Sequence, residues 1–159
     1  MTESRAQPTR AVMLPKAVAS QLSIERRNNM AIKRYIEIQD KVIAEYRIDL
    51  CDGTKCKRDW SRTHAHVKKR RVCKWKRANS IQSTFTLLHE IGHIETTKSY
   101  MRRAESEYHA TMWAIDKCKE LGLDIPHSII KDYQDYIDME IDRGKRRGGS
   151  GYGELILTV

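Results

Sequence analysis

The sequence has no apolar run that approaches the roughly 18 residues that a membrane-spanning helix needs. Its first residues also lack the charged, then apolar, then small pattern of a secretion signal. We therefore expect a cytoplasmic protein without a membrane segment. With 159 residues, of which 40% are apolar, the chain has the size and composition of one globular domain.

Cysteine is scarce, and in a reducing compartment thiols or metal ligands are favoured over a disulfide framework. A second, structural zinc site would draw on Cys51, Cys56, His64, His66 and Cys73. The wide Cys-x₄-Cys spacing and the lack of a second close cysteine pair argue against such a site. We therefore expect Cys73 to be a strand core residue and His64 and His66 to be exposed.

Acidic residues are almost absent from residues 55–77, which we call the basic segment. This segment holds eleven Lys or Arg and one acid, Asp59, whereas the net charge of the whole chain is +9. Such a segment attracts nucleic-acid phosphates or acidic protein surfaces, but it also suits a solvated face. Trp60 and Trp75 could stack on bases, although tryptophans among strands more often belong to the core.

The pattern of apolar residues divides the chain into three parts. Residues 1–29 contain two of the three prolines and little periodicity, so we expect an arm or a marginal helix there. Residues 30–142 carry the helix and strand patterns of the main domain. Residues 143–159 are a basic, glycine-rich tail that ends in a short apolar stretch, either a flexible tail or an edge strand.

Four helices are predicted in the main domain, over about residues 30–46, 80–95, 101–121 and 126–142. Ser80 or Ser83 can cap the second helix, because a hydroxyl accepts a hydrogen bond from an unpaired amide at a helix start. Between the first two helices, an Asp-Gly turn signal and local alternation predict two or three short strands.

The stretch TFTLLHEIGHIE, residues 84–95, places three ionisable groups in a helix that is otherwise typical of a core. His89 and His93 lie on one face, about 6 Å apart, so both imidazoles can reach one zinc ion. Glu90 is rotated about 100° from His89, beside that ion, where its carboxylate can take a proton from water. The pattern H-E-x-x-H arises by chance in roughly 1 to 2% of chains of this composition. Hydrogen-bonded core histidines are therefore the less favoured interpretation.

Gly92 lies in the same helix. A glycine in a helix interior costs on the order of 1 kcal/mol relative to alanine. We therefore expect a neighbouring backbone or a ligand to come close at Gly92.

A catalytic zinc needs a third protein ligand, and the following helix offers Glu105, Glu107 and His109. Steps of three and four from Glu107 give a small and apolar stripe that would lie against the motif helix, whereas the same steps from Glu105 give mostly polar positions. We favour Glu107, followed by Glu105 and then His109. The alternative is that Glu107 binds no metal and is a carboxylate near the helix start, where a negative charge interacts favourably with the helix dipole.

These residues resemble the pattern of the ImmA/IrrE-like metallopeptidases, which is a Phe-Thr lead-in, H-E-x-G-H and then E-x-x-A-x-x-[FW]-A. The matching residues are Phe85, Thr86, His89, Glu90, Gly92, His93, Glu107, Ala110, Trp113 and Ala114. The resemblance implies a zinc endopeptidase whose metal ligands would be His89, His93 and Glu107. Glu90 would be the general base. The resemblance also implies an intracellular protein substrate, often a helix-turn-helix repressor encoded on the same phage or mobile element.

We therefore expect an α+β zincin fold, with a small, mostly antiparallel sheet packed against a metal-binding helix pair and flanked by further helices. The expected function is zinc-dependent cleavage of an intracellular protein, for which a DNA-binding repressor is one candidate. Tyr100, Tyr108 and His109 are candidates for stabilising the oxyanion.

The alternative is a non-proteolytic module on the same scaffold that binds nucleic acid through residues 55–77 or inhibits a host protein. A protease that acts on DNA-crosslinked proteins is a third interpretation.

Overall fold

The computed structural model describes residues 16–51, 63–73, 79–150 and 152–158. In these ranges the chain forms four α-helices and a three-stranded sheet. The helices are α1 (Lys16–Glu45), α2 (Ile81–Thr96), α3 (Arg103–Glu120) and α4 (His127–Arg146), and the strands are β1 (Asp49–Cys51), β2 (His64–His66) and β3 (Arg71–Cys73). The predicted combination of helices with a small sheet is confirmed. None of the described helices is apolar enough over a sufficient length to cross a membrane.

The sheet has the strand order β1-β3-β2, with β3 parallel to β1 and antiparallel to β2. β2 and β3 are joined by one 3-10 turn, Val67–Lys69, and by Arg70 in the left-handed conformation at φ 46°. So short a connection can only reverse the chain, whereas β1 is far enough away in sequence to pair in parallel. The expectation of a mostly antiparallel sheet is therefore wrong for the described strands, since one of their two pairings is parallel.

Helix α1 begins at Lys16, so the predicted start at residue 30 is wrong. The side chains of residues 25–31 are exposed. No proline or glycine interrupts α1, and a helix that has already formed can elongate without a packed face. Apolar spacing therefore marks the part of this helix that packs on the core and does not mark residues 25–31. Residues 1–15, the remainder of the segment predicted as an arm or a marginal helix, lie outside the described residues.

Helix α2 lies at the centre of the core, where it packs against α1, α3 and the sheet. Its apolar side chains Phe85, Leu87 and Leu88 are at most 1% exposed. Ser80 caps the helix, because its hydroxyl accepts from the backbone N–H of Ser83. The start of α2 and the identity of its capping residue agree with the prediction.

Gly92 allows α2 and α3 to approach closely. A Cβ atom at this position would lie 2.4 Å from the backbone oxygen of Ala110 and 3.0 Å from its Cα atom. Ala110 is one helical turn after Glu107, so the close approach also brings that carboxylate towards α2. Of the two alternatives expected at Gly92, a neighbouring backbone or a ligand, the structure shows a backbone.

The segment after α4 folds back along that helix. Helix α4 ends at Arg146, later than predicted, so the predicted start of the tail falls inside the helix. Gln134 of α4 donates to Leu155 O at 3.0 Å and accepts from Leu157 N at 2.8 Å. Leu157 is buried. Residues 152–158 therefore pack on α4 and do not form an edge strand, which was one of the two alternatives for this tail.

Candidate metal centre

Helices α2 and α3 bring His89, His93 and Glu107 together. The Nε2 atoms of His89 and His93 lie 3.3 and 3.2 Å from the same carboxylate oxygen, Oε2 of Glu107. One ligand atom from each residue lies within 4.8 Å of the others, and within the described ranges no other group of His, Cys, Asp or Glu converges in this way. The three residues predicted as ligands therefore form a group that could hold a metal ion.

Hydrogen bonds assign the tautomer of His89. Thr111 Oγ1 donates its one proton to the backbone oxygen of Glu107 at 2.8 Å, so it accepts from His89 Nδ1 at 3.2 Å. With the proton on Nδ1, the Nε2 atom presents a lone pair to the Glu107 carboxylate. Burial lowers the pKa of His89, which favours this neutral form. Two lone pairs that face each other at this distance repel, and a cation between them removes the repulsion.

The second imidazole also has hydroxyl partners on its far side. His93 Nδ1 lies 3.1 Å from Ser106 Oγ and 3.3 Å from Thr97 Oγ1, and the two hydroxyl oxygens are 2.7 Å apart. Either hydroxyl can accept a proton from Nδ1, which leaves Nε2 available to a metal. Both histidines therefore have outer partners of the kind that orient metal-binding imidazoles.

Glu107 is only 2% exposed, and its second carboxylate oxygen, Oε1, lies 2.8 Å from Arg103 Nε. This distance is that of an ion pair, but the atoms are not aligned as a hydrogen bond, so Oε1 has no hydrogen-bond partner in the described chain. Burial by itself raises the pKa of Glu107, so the carboxylate stays charged only if a proton or a metal ion lies between it and the histidines. A buried carboxylate that stays charged needs cations around it, and two imidazole nitrogens plus one carboxylate oxygen are a donor set that zinc accepts.

Glu90 lines the same cleft but is not one of the converging ligands. The backbone N–H of Ala65 in β2 donates to its carboxylate. Burial raises the pKa of Glu90 to about 7, an increase that the His93 charge opposes and the Glu107 charge reinforces. A carboxyl group in this range can both take and return a proton near neutral pH.

The candidate metal centre opens into a cleft of about 600 Å³. Arg103 of α3 and both Tyr133 and Tyr136 of α4 line this cleft, and none of the three was predicted to do so. The Tyr133 ring lies 4.7 Å from the His89 ring and 5.1 Å from the Phe85 ring. Burial raises the pKa of Tyr133, so its hydroxyl keeps its proton. The spacing of the two tyrosines indicates a shared helix face, but only the tertiary packing shows that this face meets α2.

The other predicted site candidates lie outside the cleft. Glu105 accepts from the backbone N–H of Arg102 at 3.0 Å, at the start of α3. His109 is exposed, and its ring lies 5.4 Å from that of Tyr108. Tyr100 is 75% exposed. Glu105 and His109 therefore do not converge with His89 and His93, and none of the three predicted oxyanion candidates lines the cleft of the candidate metal centre.

Three of the residues considered for a second zinc site, which the spacing disfavoured, share one row of the sheet. Cys51 is the register partner of Cys73 in β3, and Cys73 is the partner of His64 in β2. They do not form a second converging group among the described residues. Cys73 is buried and His66 is exposed, as predicted, whereas His64 is half-buried and lines the metal cleft. Cys56 lies outside the described residues.

Only residues 63–73 of the basic segment are described. The two lysines in this range are exposed, while Arg70 and Arg71 are bonded to acidic residues of α2 and β1. Trp60 and Trp75, the predicted base-stacking residues, lie outside the described part of the chain. Nucleic-acid binding by this segment therefore stays a prediction.

No protein-family model, curated protein or solved structure matches the chain. The resemblance to the ImmA/IrrE-like metallopeptidases therefore stays a prediction that rests on the motif residues.

Proposed function

We propose that the chain is a zinc-dependent endopeptidase of the zincin type that hydrolyses an intracellular protein. The main support is the convergence of two Nε2 atoms on one carboxylate oxygen, at 3.3 and 3.2 Å, with Glu90 beside them in an open cleft. A catalytic zinc site has three protein ligands and an open position, whereas a structural site is closed by four. The candidate metal centre fits the catalytic type.

Zinc suits the centre in both donor chemistry and charge. His89 and His93 would hold it through Nε2, and Glu107 through Oε2. When bound, zinc lowers the pKa of a water molecule and polarises a carbonyl group. The hydroxyls on the far side of each imidazole keep the Nε2 lone pairs directed at the metal position.

Glu90 acts as the general base and then as the general acid. Its carboxylate takes a proton from the water that adds to the peptide carbonyl, and it returns a proton to the amine nitrogen as the C–N bond breaks. Burial favours the protonated form of Glu90 that the second step needs. The N–H of Ala65 holds the carboxylate on the side of α2 that faces β2.

The substrate lies along β2. Within the described sheet β2 pairs only with β3, and Thr63, His64 and Ala65 line the cleft. An extended peptide that adds to a strand edge gains backbone hydrogen bonds whatever its side chains. The DNA-binding repressor that the family resemblance implies would be bound through such a segment.

Replacing Glu90 with glutamine tests the proposal. The full chain, purified without a histidine tag and loaded with zinc, is analysed for metal by mass spectrometry. It is then incubated with a peptide mixture from a digested proteome, and the cleaved bonds are identified. We expect the wild-type chain to cleave peptides, and Glu90→Gln to retain zinc but lose at least about 100-fold in rate.

Glu95→Gln makes the same chemical change at an exposed position of the same helix and should retain activity. Cleavage by Glu90→Gln at the wild-type rate would reject Glu90 as the base. A wild-type chain that binds zinc but cleaves nothing would instead favour the non-proteolytic alternative. That alternative predicts nucleic-acid binding through residues 55–77 that weakens steeply as salt rises.

A further inference from the structure

A second cleft adjoins the candidate metal centre, at the start of α3 and the end of α4. It encloses about 290 Å³. Four arginines line it, and we call it the arginine cleft: Arg102, Arg103, Arg143 and Arg147. Among the described residues, Glu140 is the only acid in its lining. The proposed hydrolysis does not account for this concentration of guanidinium groups.

The chain after α4 forms one wall of the arginine cleft. The Tyr152 ring packs on the Arg102 guanidinium, whose Cζ lies 4.2 Å from the ring centroid. Arg102 Nη1 also donates to the backbone oxygen of Ser150 at 2.8 Å. Gly144 makes room for this wall, because a Cβ atom there would lie 1.9 Å from the Tyr152 hydroxyl oxygen. Specific contacts therefore shape the cleft.

The arginine cleft keeps donor groups for a further anion. Three arginines have an acidic partner: Arg102 with Glu105, Arg103 with Glu107, and Arg143 with Glu140. The side chains of Arg103 and Arg143 are nonetheless 57% and 44% exposed. Arg147 is exposed and has no acidic partner in the described ranges. Because a guanidinium carries five N–H donors, several remain unused.

Arg103 lines both clefts, so a peptide that leaves the metal centre past Arg103 enters the arginine cleft. Arginine binds carboxylates through two parallel hydrogen bonds, which gives both affinity and orientation. We propose that the arginine cleft binds an acidic side chain of the substrate. The protein would then select segments with aspartate or glutamate a few residues from the cleaved bond, an inference that rests on the proposed endopeptidase function.

The shape of the arginine cleft favours a carboxylate over a nucleic acid. A concave site of about 290 Å³ has room for one or two side chains. A nucleic-acid backbone instead engages a row of cations along an open surface, and its affinity grows with the number of phosphates contacted.

Peptide binding, measured apart from hydrolysis, tests the proposal. The probes are a fluorescein-labelled peptide with a run of glutamates between small neutral residues and the same peptide with glutamines. Both are titrated by fluorescence anisotropy into the zinc-loaded full chain that carries Glu90→Gln. We expect the glutamate peptide to bind at least about tenfold more tightly than the glutamine peptide. The double substitution Arg143→Gln with Arg147→Gln should weaken binding of the glutamate peptide at least about tenfold.

Two further variants keep this test decisive. Arg147→Gln alone leaves every described ion pair intact, and it should cost at least about threefold in affinity even if Arg143→Gln unfolds the chain. Lys33→Gln with Lys119→Gln makes the same change in net charge at exposed positions of α1 and α3. This control should change the affinity by less than about twofold, because screening weakens distant charges.

Equal affinity for the two peptides, or no loss in both arginine variants, would overturn the proposal. Binding of a short DNA duplex that these variants weaken, with no binding of the glutamate peptide, would also overturn it. Binding is measured in the Glu90→Gln chain, which lacks the proposed general base, so the measurement does not depend on cleavage. Absence of cleavage by the wild-type chain would therefore reject the proposed hydrolysis but would not affect the test of the arginine cleft. In an active enzyme, the arginine variants should lose the enrichment of acids near cleaved bonds but still cleave neutral peptides.

Discussion

Replacing Gly92 with alanine tests whether the close approach of α2 and α3 assembles the candidate metal centre. The added methyl carbon would lie 2.4 Å from the oxygen, 3.0 Å from the Cα and 3.1 Å from the carbonyl carbon of Ala110. These atoms belong to the backbone of α3, so they cannot rotate away. The helices must therefore separate by about 1 Å to restore an ordinary contact distance.

The expected loss of stability is small, but the expected loss of metal affinity is larger. Overpacking costs about 1–3 kcal/mol, while alanine is about 1 kcal/mol better than glycine within a helix. The net loss in free energy of unfolding for the metal-free chain is therefore about 0–2 kcal/mol. Metal–ligand distances tolerate changes of only about 0.2 Å. A separation of about 1 Å withdraws Glu107 from the two histidines, and we expect zinc affinity to fall at least about tenfold.

Zinc affinity can be measured by competition with a chromophoric chelator, and the free energy of unfolding by urea denaturation of the metal-free chain. Gly153→Ala is the matched control, because a Cβ atom at Gly153 would meet nothing within 4 Å. Its free energy of unfolding should change by no more than about 0.5 kcal/mol. Unchanged zinc affinity in a folded Gly92→Ala chain would refute the reasoning, since the ligands would then tolerate a displaced α3.

Two further substitutions test the tautomer of His89 and the C-terminal segment. Thr111→Val keeps the side-chain shape but removes the hydroxyl that accepts from His89, so zinc affinity should fall about 10- to 100-fold while the fold is retained; an unchanged affinity in chelator competition would contradict the assigned tautomer. Leu157→Ala removes a side chain that is only 8% exposed, and we expect the free energy of unfolding in urea to fall by about 2–3 kcal/mol. A change below about 0.5 kcal/mol would mean that this segment does not contribute to the core.

The three candidate metal ligands were predictable because helix geometry is local. Four residues separate His89 from His93, which is one turn, and the small residues that follow Glu107 mark the face of α3 that turns inward. Gly92 added the information that a backbone or a ligand comes close at that point of α2. These inferences needed only the helical period and the free-energy cost of a glycine within a helix.

The remainder of the site depends on contacts between segments distant in sequence. Tyr133 and Arg103 line the cleft because α4 and the start of α3 pack there, and their spacing does not reveal which face meets α2. The parallel pairing of β1 with β3 is likewise a product of tertiary packing. The early start of α1 was missed for a different reason, since the exposed residues 25–31 show no apolar period.

The candidate metal centre and the core use the same face of α3. Glu107, Ala110, Thr111 and Ala114 follow one another at helical spacing and are all buried. Thr111 binds the backbone oxygen of Glu107 and also contacts His89, so one hydroxyl joins the turn that carries the carboxylate to the imidazole on α2. A substitution that loosens the contact between α2 and α3 must therefore move a candidate ligand. A substitution of a ligand itself instead leaves the apolar contacts between the two helices in place. We therefore expect Gly92→Ala to lower both stability and metal affinity, and Thr111→Val to lower metal affinity while the fold is retained.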